Sequence, residues 1–381
     1  MKNENKINRI IIKIVAVVCV VIVVIYLALY NRDNSEVIKV GFIGPLTGEA
    51  SPYGVPVKQG IELALKDSIS RGVIKNDQIQ MIFEDGKCDS KEAVKAAQKL
   101  INVDKVKVIF GGQCSNETMA IAPIAEQNKV LLISSFSTSP GVTKAGDFVF
   151  RIPPSDENSG KIIAETITKD EFKNVGIVSE KTLASQTIIP VFENKIKELG
   201  ANLIYNDSIL LDSDDAYTIS AKIKSVNPEA LYLNVQTGAS GSKLVKSLRE
   251  IGYTGQIYTY FISGDDFVKS GKWVNGVKIV DFRAAKDTKT LDVFNAQFVG
   301  LFGNPPTYPF GATLGYDTGE IIFEAIGKVG NNSSKIKDYL YSMQSRPSVT
   351  GNLSFDRNGD PIGNDVYYLR EVVDNKLVDL K

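Results

Sequence analysis

The chain has 381 residues, no histidine, and as many basic as acidic side chains, 44 of each. This length accommodates two domains of ordinary size, and the balanced charge gives no indication of a nucleic-acid partner. The missing histidine removes the commonest general base and the commonest metal ligand, which disfavours catalysis by this protein.

The N-terminal region has the composition of a membrane anchor. Residues 1–13 are mostly polar and basic, and Ile10–Tyr30 is almost purely apolar. Such a segment is about long enough to cross a bilayer as a helix, and the basic residues predict a cytoplasmic N-terminus. A cleaved signal peptide and secretion are the alternative, but Ala28-Leu29-Tyr30 is a poor cleavage site. We expect a single-pass protein of the cell membrane, held by residues 10–30, with the chain after the linker (residues 31–36) extracytoplasmic.

From Val37 onward, β-branched runs alternate with segments of helical periodicity. Val37–Gly44 is typical of a strand buried on both faces, a helix is expected from about Val57 to Ser70, and Gln78–Glu84 is the next strand. Strands that alternate with helices predict a parallel, doubly wound α/β sheet. Asp147–Pro154 is a strand stopped by two prolines, and a second α/β series follows it.

The segment Val106–Pro140 predicts a strand, a turn, a helix, a second strand and a second turn. Both turns would lie at the carboxyl edge of a parallel sheet, where open α/β sheets bind ligands. Ser115 is expected where the helix begins, and free N–H groups with the helix dipole favour an anion such as a carboxylate there. Helix capping and turn formation are the alternative roles. The two turns contain the small donors Ser115, Asn116, Ser134, Ser135, Ser137 and Thr138.

Two of the three cysteines follow predicted strands in consecutive βα units. The turns that carry Cys88 and Cys114 can therefore lie side by side. A disulfide is expected if the domain lies outside the cytoplasm, and two free thiols are the alternative. Cys19 lies in the apolar N-terminal segment and has no assigned role.

Sequence motifs give no catalytic residue, cofactor or metal site. GxxxxGK[ST], GxGxxG and GxSxG are absent. Residues Asp356–Asp365 resemble a calcium loop, but Pro361 replaces the required glycine and Tyr367 the bidentate acid. We expect a hairpin turn there, which joins Val349–Phe355 and Val366–Val372 as an antiparallel pair.

Four stretches resemble the type I periplasmic binding proteins, in particular the branched-chain amino-acid-binding (Leu/Ile/Val) proteins of ABC importers. The stretches are GFIGPLTGEASPYGVPVKQGIELAL, FEDGKCDSKEAVKAAQKLI, FGGQCSNETMAIAPIAEQNKVLLISSFSTSPGVT and VTGNLSFDRNGDPIG. The resemblance implies an α/β fold of two Rossmann-like lobes with a ligand cleft between them, here preceded by one transmembrane helix. Lobe 1 would comprise residues 37–153 and 285–349, and lobe 2 residues 154–284 and 350–381.

The resemblance also implies ligand contacts in the first lobe. Ser115 and Thr138 match the residues that hold the carboxylate of the amino acid. Phe136 matches a backbone contact in the same loop, where Ser137 is a further candidate. Tyr53 matches an aromatic residue over the ligand side chain. The disulfide of the family matches Cys88 and Cys114.

The second lobe departs from the family pattern. A ligand-contacting tyrosine of the family falls near Gln236. The glutamate that pairs with the ligand's ammonium falls near Phe261, where this chain has no carboxylate. Asp265 or Asp266 substitutes for it if the loop is shifted. Otherwise the ligand lacks an ammonium, because a buried ammonium without a counter-charge is costly.

These features predict an extracytoplasmic solute-binding protein of an ABC importer, and not an enzyme. A small amino-acid-like or carboxylate/amide solute would bind in the cleft, and the lobes would close by hinge motion before presentation to an ABC permease. We expect a monomer. The alternative is a ligand-sensing ectodomain, which would signal through a separate membrane partner because only about a dozen residues precede the apolar segment.

Overall fold

The computed structural model describes residues 13, 18–22, 37–48, 50–210, 215–235, 238–260, 267–268, 270–282, 285, 287–362 and 367–380. The predicted anchor Ile10–Tyr30 lies mostly outside these residues. Within them, no helix is long and apolar enough to cross a membrane. Contacts divide the chain into Met1–Ile38 and Lys39–Lys381, and the second unit contains the sheets and the candidate site.

The first sheet has five strands in the order β2-β1-β3-β4-β5. Its interior strands β1, β3 and β4 are buried and mostly apolar, as expected of a sheet covered on both faces. Strands β1, β3, β4 and β5 pair in parallel, which confirms the α/β prediction. The strands are β1 (Ile38–Gly44), β2 (Ile79–Asp85), β3 (Val108–Phe110), β4 (Leu131–Ser134) and β5 (Val149–Arg151).

Three helices connect the strands of the first sheet. They are α1 (Ser51–Ser70), α2 (Ser90–Asn102) and α3 (Ser115–Asn128). The first of them begins before the predicted start near Val57. Pro52 lies in its first turn, where a missing N–H costs no hydrogen bond. A 3-10 turn (Pro140–Lys144) follows β4.

The second sheet has seven strands in the order β15-β14-β10-β9-β8-β6-β7. The five neighbouring strands β10, β9, β8, β6 and β7 pair in parallel. The strands β14 and β15 are antiparallel to their neighbours. The strands are β6 (Asn174–Glu180), β7 (Asn202–Ile209), β8 (Ala230–Asn234), β9 (Gln256–Tyr260), β10 (Lys278–Phe282), β14 (Tyr367–Val373) and β15 (Lys376–Asp379). The helices in this part are α4 (Asp156–Lys169), α5 (Leu183–Glu198), α6 (Ala216–Val226) and α7 (Gly238–Glu250), with a 3-10 turn at Gly271–Val274.

The predicted antiparallel pair near the C-terminus is wrong. A third, three-stranded sheet contains β11 (Arg346–Pro347), β12 (Asn352–Phe355) and β13 (Pro361–Ile362). The strand β12 pairs with β11 and β13, while β14 pairs with β10 of the second sheet. Periodicity alone could not assign these pairings. The strand β10 is far from β14 in the chain, and β11 and β13 have only two residues each.

Three more helices complete the described part: α8 (Thr288–Phe302), α9 (Pro309–Val329) and α10 (Ser333–Ser342). Helices α1 and α9 approach closely because glycines face the opposite backbone. A Cβ on Gly315 would lie 2.2 Å from the carbonyl oxygen of Val57, and one on Gly60 2.0 Å from that of Ala312. This contact fixes α1, which carries Tyr53. The domain boundaries inferred from the resemblance remain predictions.

Candidate ligand-binding site

The turns that follow β1, β3 and β4 lie together at the carboxyl edge of the first sheet, because these strands are parallel neighbours. A disulfide joins Cys88, after β2, to Cys114, after β3, and so confirms the predicted bond. Ser115 comes directly after the second cysteine and is the first residue of α3. The disulfide therefore holds the start of α3 against the neighbouring turn.

A buried carboxylate holds the same two turns. Glu117 accepts hydrogen bonds from the backbone N–H groups of Cys88 (2.9 Å), Gln113 (3.0 Å) and Cys114 (2.9 Å). Burial raises the pKa of Glu117 to about 7, against the three N–H donors, which favour the ionised form. Glu117 thus positions the backbone that leads into Ser115.

The Ser115 hydroxyl has a proton left for a ligand. Ser115 is only 8% exposed, and its Oγ accepts a hydrogen bond from the Ser139 backbone N–H at 3.2 Å. A hydroxyl that accepts one hydrogen bond can still donate one. Because Ser115 lies in the first turn of α3, the helix dipole also favours negative charge here. Ser115 therefore has the chemistry that a ligand carboxylate requires.

The Thr138 hydroxyl, in contrast to that of Ser115, can only accept a hydrogen bond from a ligand. Its Oγ1 donates to Asp156 Oδ2 at 2.6 Å, so that only its lone pairs remain for a ligand. Asp156 is fully buried at the start of α4, and it also accepts from the Tyr260 hydroxyl at 2.7 Å. Burial raises the pKa of Asp156 to about 6, against the two hydrogen bonds and the Arg151 charge, which lower it. These contacts suit a positively charged ligand group at Thr138, whereas the resemblance implied a carboxylate.

Arg151 fixes the loop that carries Thr138. This fully buried guanidinium donates to the carbonyl oxygens of Thr138 (3.1 Å) and Ser139 (2.8 Å). It also forms a two-pronged ion pair with Asp360, at 2.7 and 2.8 Å, from the turn between β12 and β13. Burial of an arginine is tolerated because the ion pair and the carbonyl oxygens satisfy its donors. Asp360, in the turn that resembled a calcium loop, is thus the counter-ion of Arg151, which holds the loop of Thr138.

Aromatic side chains form an apolar wall beside these polar groups. The ring of Tyr53 stacks on Phe136 with centroids 5.7 Å apart, and Tyr308 meets both rings edge-on at 6.0 and 5.9 Å. Phe310 lies 6.4 Å from Phe136. The backbone N–H of Phe136 is held by Ser134 Oγ at 3.3 Å. Tyr53 and Phe136 are therefore neighbours, as two candidates of one site should be.

Ser137, the remaining candidate in this loop, is fully buried and its hydroxyl serves the protein itself. Its Oγ lies 3.1 Å from the carbonyl oxygen of Gly112 and 2.7 Å from Thr118 Oγ1. The same carbonyl also accepts from Ser134 and Thr118, both at 2.7 Å. These hydroxyls tie the turn after β3 to the turn after β4.

Comparison with known proteins assigns the family. Residues 37–376 match the model of the family described as periplasmic binding protein. The chain belongs to this family of periplasmic binding proteins. A Leu/Ile/Val-binding protein of Citrobacter freundii is 30% identical over 55% of this chain, but the match spans only 57% of that protein's length. A Leu/Ile/Val-binding protein homologue of Brucella abortus is 25% identical over 85% of this chain and 87% of its own.

Solved structures share the fold of this binding protein. A leucine-binding protein of Thermotoga maritima superposes with a TM-score of 0.79 at 25% identity, covering 91% of this chain and 98% of its own. A Streptococcus pneumoniae binding protein in complex with isoleucine gives 0.78 at 23% identity, covering 91% and 100%. A Rhodopseudomonas palustris solute-binding protein in complex with benzoate gives 0.77 at 22%, covering 90% and 95%. These relatives are solute-binding proteins and not enzymes.

In the second sheet, Asn234 is a fully buried polar residue at the end of β8. Its Nδ2 donates to Ser179 Oγ (3.1 Å) and to the Ser185 carbonyl oxygen (2.7 Å). Its Oδ1 is buried and has no hydrogen-bond partner among the residues that the structure describes. The candidates Gln236, Phe261 and Asp265, together with Asp266, lie outside the described residues.

Sequence reasoning missed Asp156 and Arg151. Asp156 follows two prolines at the start of a helix, where an acidic residue is normally taken for a favourable partner of the helix dipole. Arg151 is a charge within the apolar run FVFRI, residues 148–152, and such a charge is buried only when it is paired. The sequence therefore indicated that Arg151 requires a partner, although it did not identify Asp360 as that partner.

Proposed function

We propose that this protein binds a small amino acid or related solute in the cleft between its two lobes and delivers it to an ABC permease. The observation that carries the proposal is the opposite polarity of two neighbouring hydroxyls. Ser115 Oγ can donate, while Thr138 Oγ1 can only accept because its proton is bound by Asp156. A ligand with an anionic and a cationic end satisfies both groups.

Asp156 supplies the negative charge for the ammonium in this proposal. From the sequence, Asp265 or Asp266 was the candidate for this charge, because the family glutamate falls near Phe261, and both aspartates lie outside the described residues. The buried carboxylate of Asp156, which accepts a hydrogen bond from Thr138 at 2.6 Å, takes the role of the family glutamate in this proposal. Binding of an ammonium would favour the ionised form of Asp156 and offset part of the cost of its burial. The names of relatives that bind leucine, isoleucine and valine support an α-amino acid as the ligand class.

The membrane location belongs to the same proposal. We infer from the apolar composition of Ile10–Tyr30 and the basic residues before it that the binding domain is tethered outside the cytoplasm. Tethering would raise the effective concentration of the binding protein at its permease. Membrane fractionation followed by protease treatment of intact cells tests this part. Digestion of the domain in intact cells is expected, and full protection would contradict an extracytoplasmic location.

Calorimetric titration with matched ligands tests the binding proposal. Each common amino acid is compared with its deaminated acid and its decarboxylated amine. Ser115→Ala should weaken the binding of the amino acid by about 1–3 kcal/mol, because the hydrogen bond to its carboxylate is lost. Asp156→Asn should weaken the binding of the amino acid but leave the affinity for the deaminated acid nearly unchanged.

The pattern across the two variants decides the outcome. If Ser115→Ala weakened the amine as much as the amino acid, Ser115 would not contact the carboxylate. If Asp156→Asn left the amino acid unchanged, the ammonium would lie elsewhere. If no amino acid bound the wild-type protein, the ligand class itself would be wrong.

A further inference from the structure

Two fully buried polar side chains at the first-sheet edge have groups that no described residue satisfies. Gln113, after β3, and Ser135, after β4, are both 0% exposed. Gln113 Nε2 and Ser135 Oγ have no hydrogen-bond partner among the residues that the structure describes. Buried polar groups are nearly always paired, so an unpaired one requires an explanation, and a bound molecule or water is one such explanation. These two atoms lie in the same turns as Ser115 and Thr138.

The orientation of the Gln113 amide follows from its neighbours. Its Oε1 accepts a hydrogen bond from the Ser135 backbone N–H at 3.2 Å, which identifies the oxygen because an NH₂ group could not accept this bond. The Cγ of Gln113 lies where a Cβ on Gly44, the last residue of β1, would come within 2.7 Å. Gln113 therefore spans the edge from the end of β1 to the turn after β4, with its NH₂ group as the unpaired donor.

We propose that Gln113 and Ser135 form a polar subsite for the side chain of the ligand, so that the preferred solutes are amino acids with an uncharged polar side chain. The inference rests on the proposed function, in which Ser115, Thr138 and Asp156 bind the main-chain charges. The amide NH₂ donates and the hydroxyl can donate or accept. A side-chain amide or hydroxyl fits this pair.

The groups of the subsite disfavour the other side-chain classes. A cationic side chain would face the NH₂ group of Gln113, a donor, and would find only the neutral hydroxyl of Ser135 as an acceptor and no counter-charge. An anionic one would approach the buried carboxylate of Glu117, whose Oε2 lies 3.0 Å from the Gln113 backbone N–H. An aliphatic side chain would leave both buried groups unpaired, and sites built to hydrogen-bond a substrate reject analogues that lack the polar group.

Isosteric ligand pairs test the subsite with the full chain. Asparagine has nearly the shape of leucine, and threonine nearly that of valine, so that each pair differs mainly in hydrogen bonding. Calorimetry is expected to show that the polar member of at least one pair binds about tenfold or more tightly than its isostere. Gln113→Leu should reverse this preference, and Ser135→Ala should reduce it.

Ser220→Ala is the matched control. Ser220 is also fully buried with an unpaired hydroxyl, but it lies on α6, away from the first-sheet edge, so its loss should leave the ligand ratios unchanged. Tighter binding of leucine and valine than of asparagine and threonine by the wild-type protein would overturn the subsite while leaving the proposed function intact. This wild-type ratio decides the matter even if Gln113→Leu does not fold. Failure of every amino acid to bind would overturn both proposals.

Discussion

The carboxyl edges of the two sheets are built differently. At the first sheet, two buried charged groups organise the turns: Glu117 gathers three backbone N–H groups, and Arg151 holds the loop of Thr138 through its carbonyl oxygens. At the second sheet, Asn234 binds the neutral groups of Ser179 and Ser185. The buried charge that meets this edge, Asp156, is bound by the hydroxyls of Tyr260 and Thr138 and not by backbone groups.

The difference teaches which edge is preorganised. Buried charges tolerate few arrangements, because each unsatisfied donor or acceptor costs several times more than a neutral one. The first edge can therefore present Ser115 and Thr138 in one fixed geometry before a ligand arrives. Contacts between neutral groups, such as that of Asn234 with Ser179, can be exchanged at lower cost.

The largest expected effect comes from breaking the buried ion pair. Asp360→Asn should lower the free energy of unfolding by about 3 kcal/mol or more, because Arg151 would keep a buried charge without its counter-ion. Urea denaturation measures this. The control is Asp379→Asn on the second sheet, where the carboxylate is 68% exposed and its pair with Arg370 should be worth less than about 1 kcal/mol. Equal losses would contradict the contrast between the edges.

The second effect is a pH dependence that distinguishes Glu117. A carboxyl with a higher pKa in the folded protein than in the unfolded chain binds more protons when folded, so the free energy of unfolding falls as pH rises. The pKa of Glu117 is raised from 4.5 to about 7, which corresponds to a loss of roughly 3 kcal/mol across this interval.

Glu117→Gln should remove the part of this decline that lies between about pH 6 and 7, as followed by urea denaturation at several pH values. Below this interval the raised pKa of Asp156, about 6, predicts a decline of its own. Glu229→Gln, directly before β8 of the second sheet, provides the control. Its exposed carboxylate accepts from the backbone N–H groups of Asn174 and Lys173, and these bonds lower its pKa. This control should retain the decline. A decline that survives between about pH 6 and 7 in Glu117→Gln would show that a group other than Glu117 titrates there.

A third, smaller effect tests whether packing behind the first edge holds Tyr53 in place. Gly315→Ala should destabilise the protein by about 1–3 kcal/mol, because the new methyl group would collide with the Val57 backbone. Gly300→Ala is matched in chemistry, lies in helix α8 and has open space around it, so it should be neutral or stabilise by up to about 1 kcal/mol. Thermal unfolding compares them, and similar melting temperatures would refute the close contact.

The smallest effect lies at the second edge. Thr182 caps α5 by accepting a hydrogen bond from the Ser185 backbone N–H at 3.2 Å, and Thr182→Ala should cost about 1 kcal/mol. Thr182→Ser retains the cap and should recover most of the loss. A loss as large as that of Asp360→Asn would mean that the second edge is as strongly determined as the first.

Features that depend on neighbouring residues were predictable. The alternation of strands and helices, the proximity of Cys88 and Cys114, and the placement of Ser115 at a helix start all follow from patterns within a few tens of residues. Hydrogen-bond polarity was not predictable, since the type of a side chain does not reveal where its proton goes. Thr138 shows this, because only its contact with Asp156 makes it an acceptor.

The sequence by itself determined the α/β architecture and the family, because local periodicity and short motifs suffice for each. It placed Cys88 and Cys114 in neighbouring turns, and the resemblance implied their disulfide, which the structure contains. Only the tertiary structure decided how the site is held together. Arg151 and Asp360 are 209 positions apart in the chain, and Tyr260 reaches Asp156 across 104. Such partners come together only when the sheets are packed. A residue's charge or hydroxyl says that a partner is required, but the fold alone selects which one.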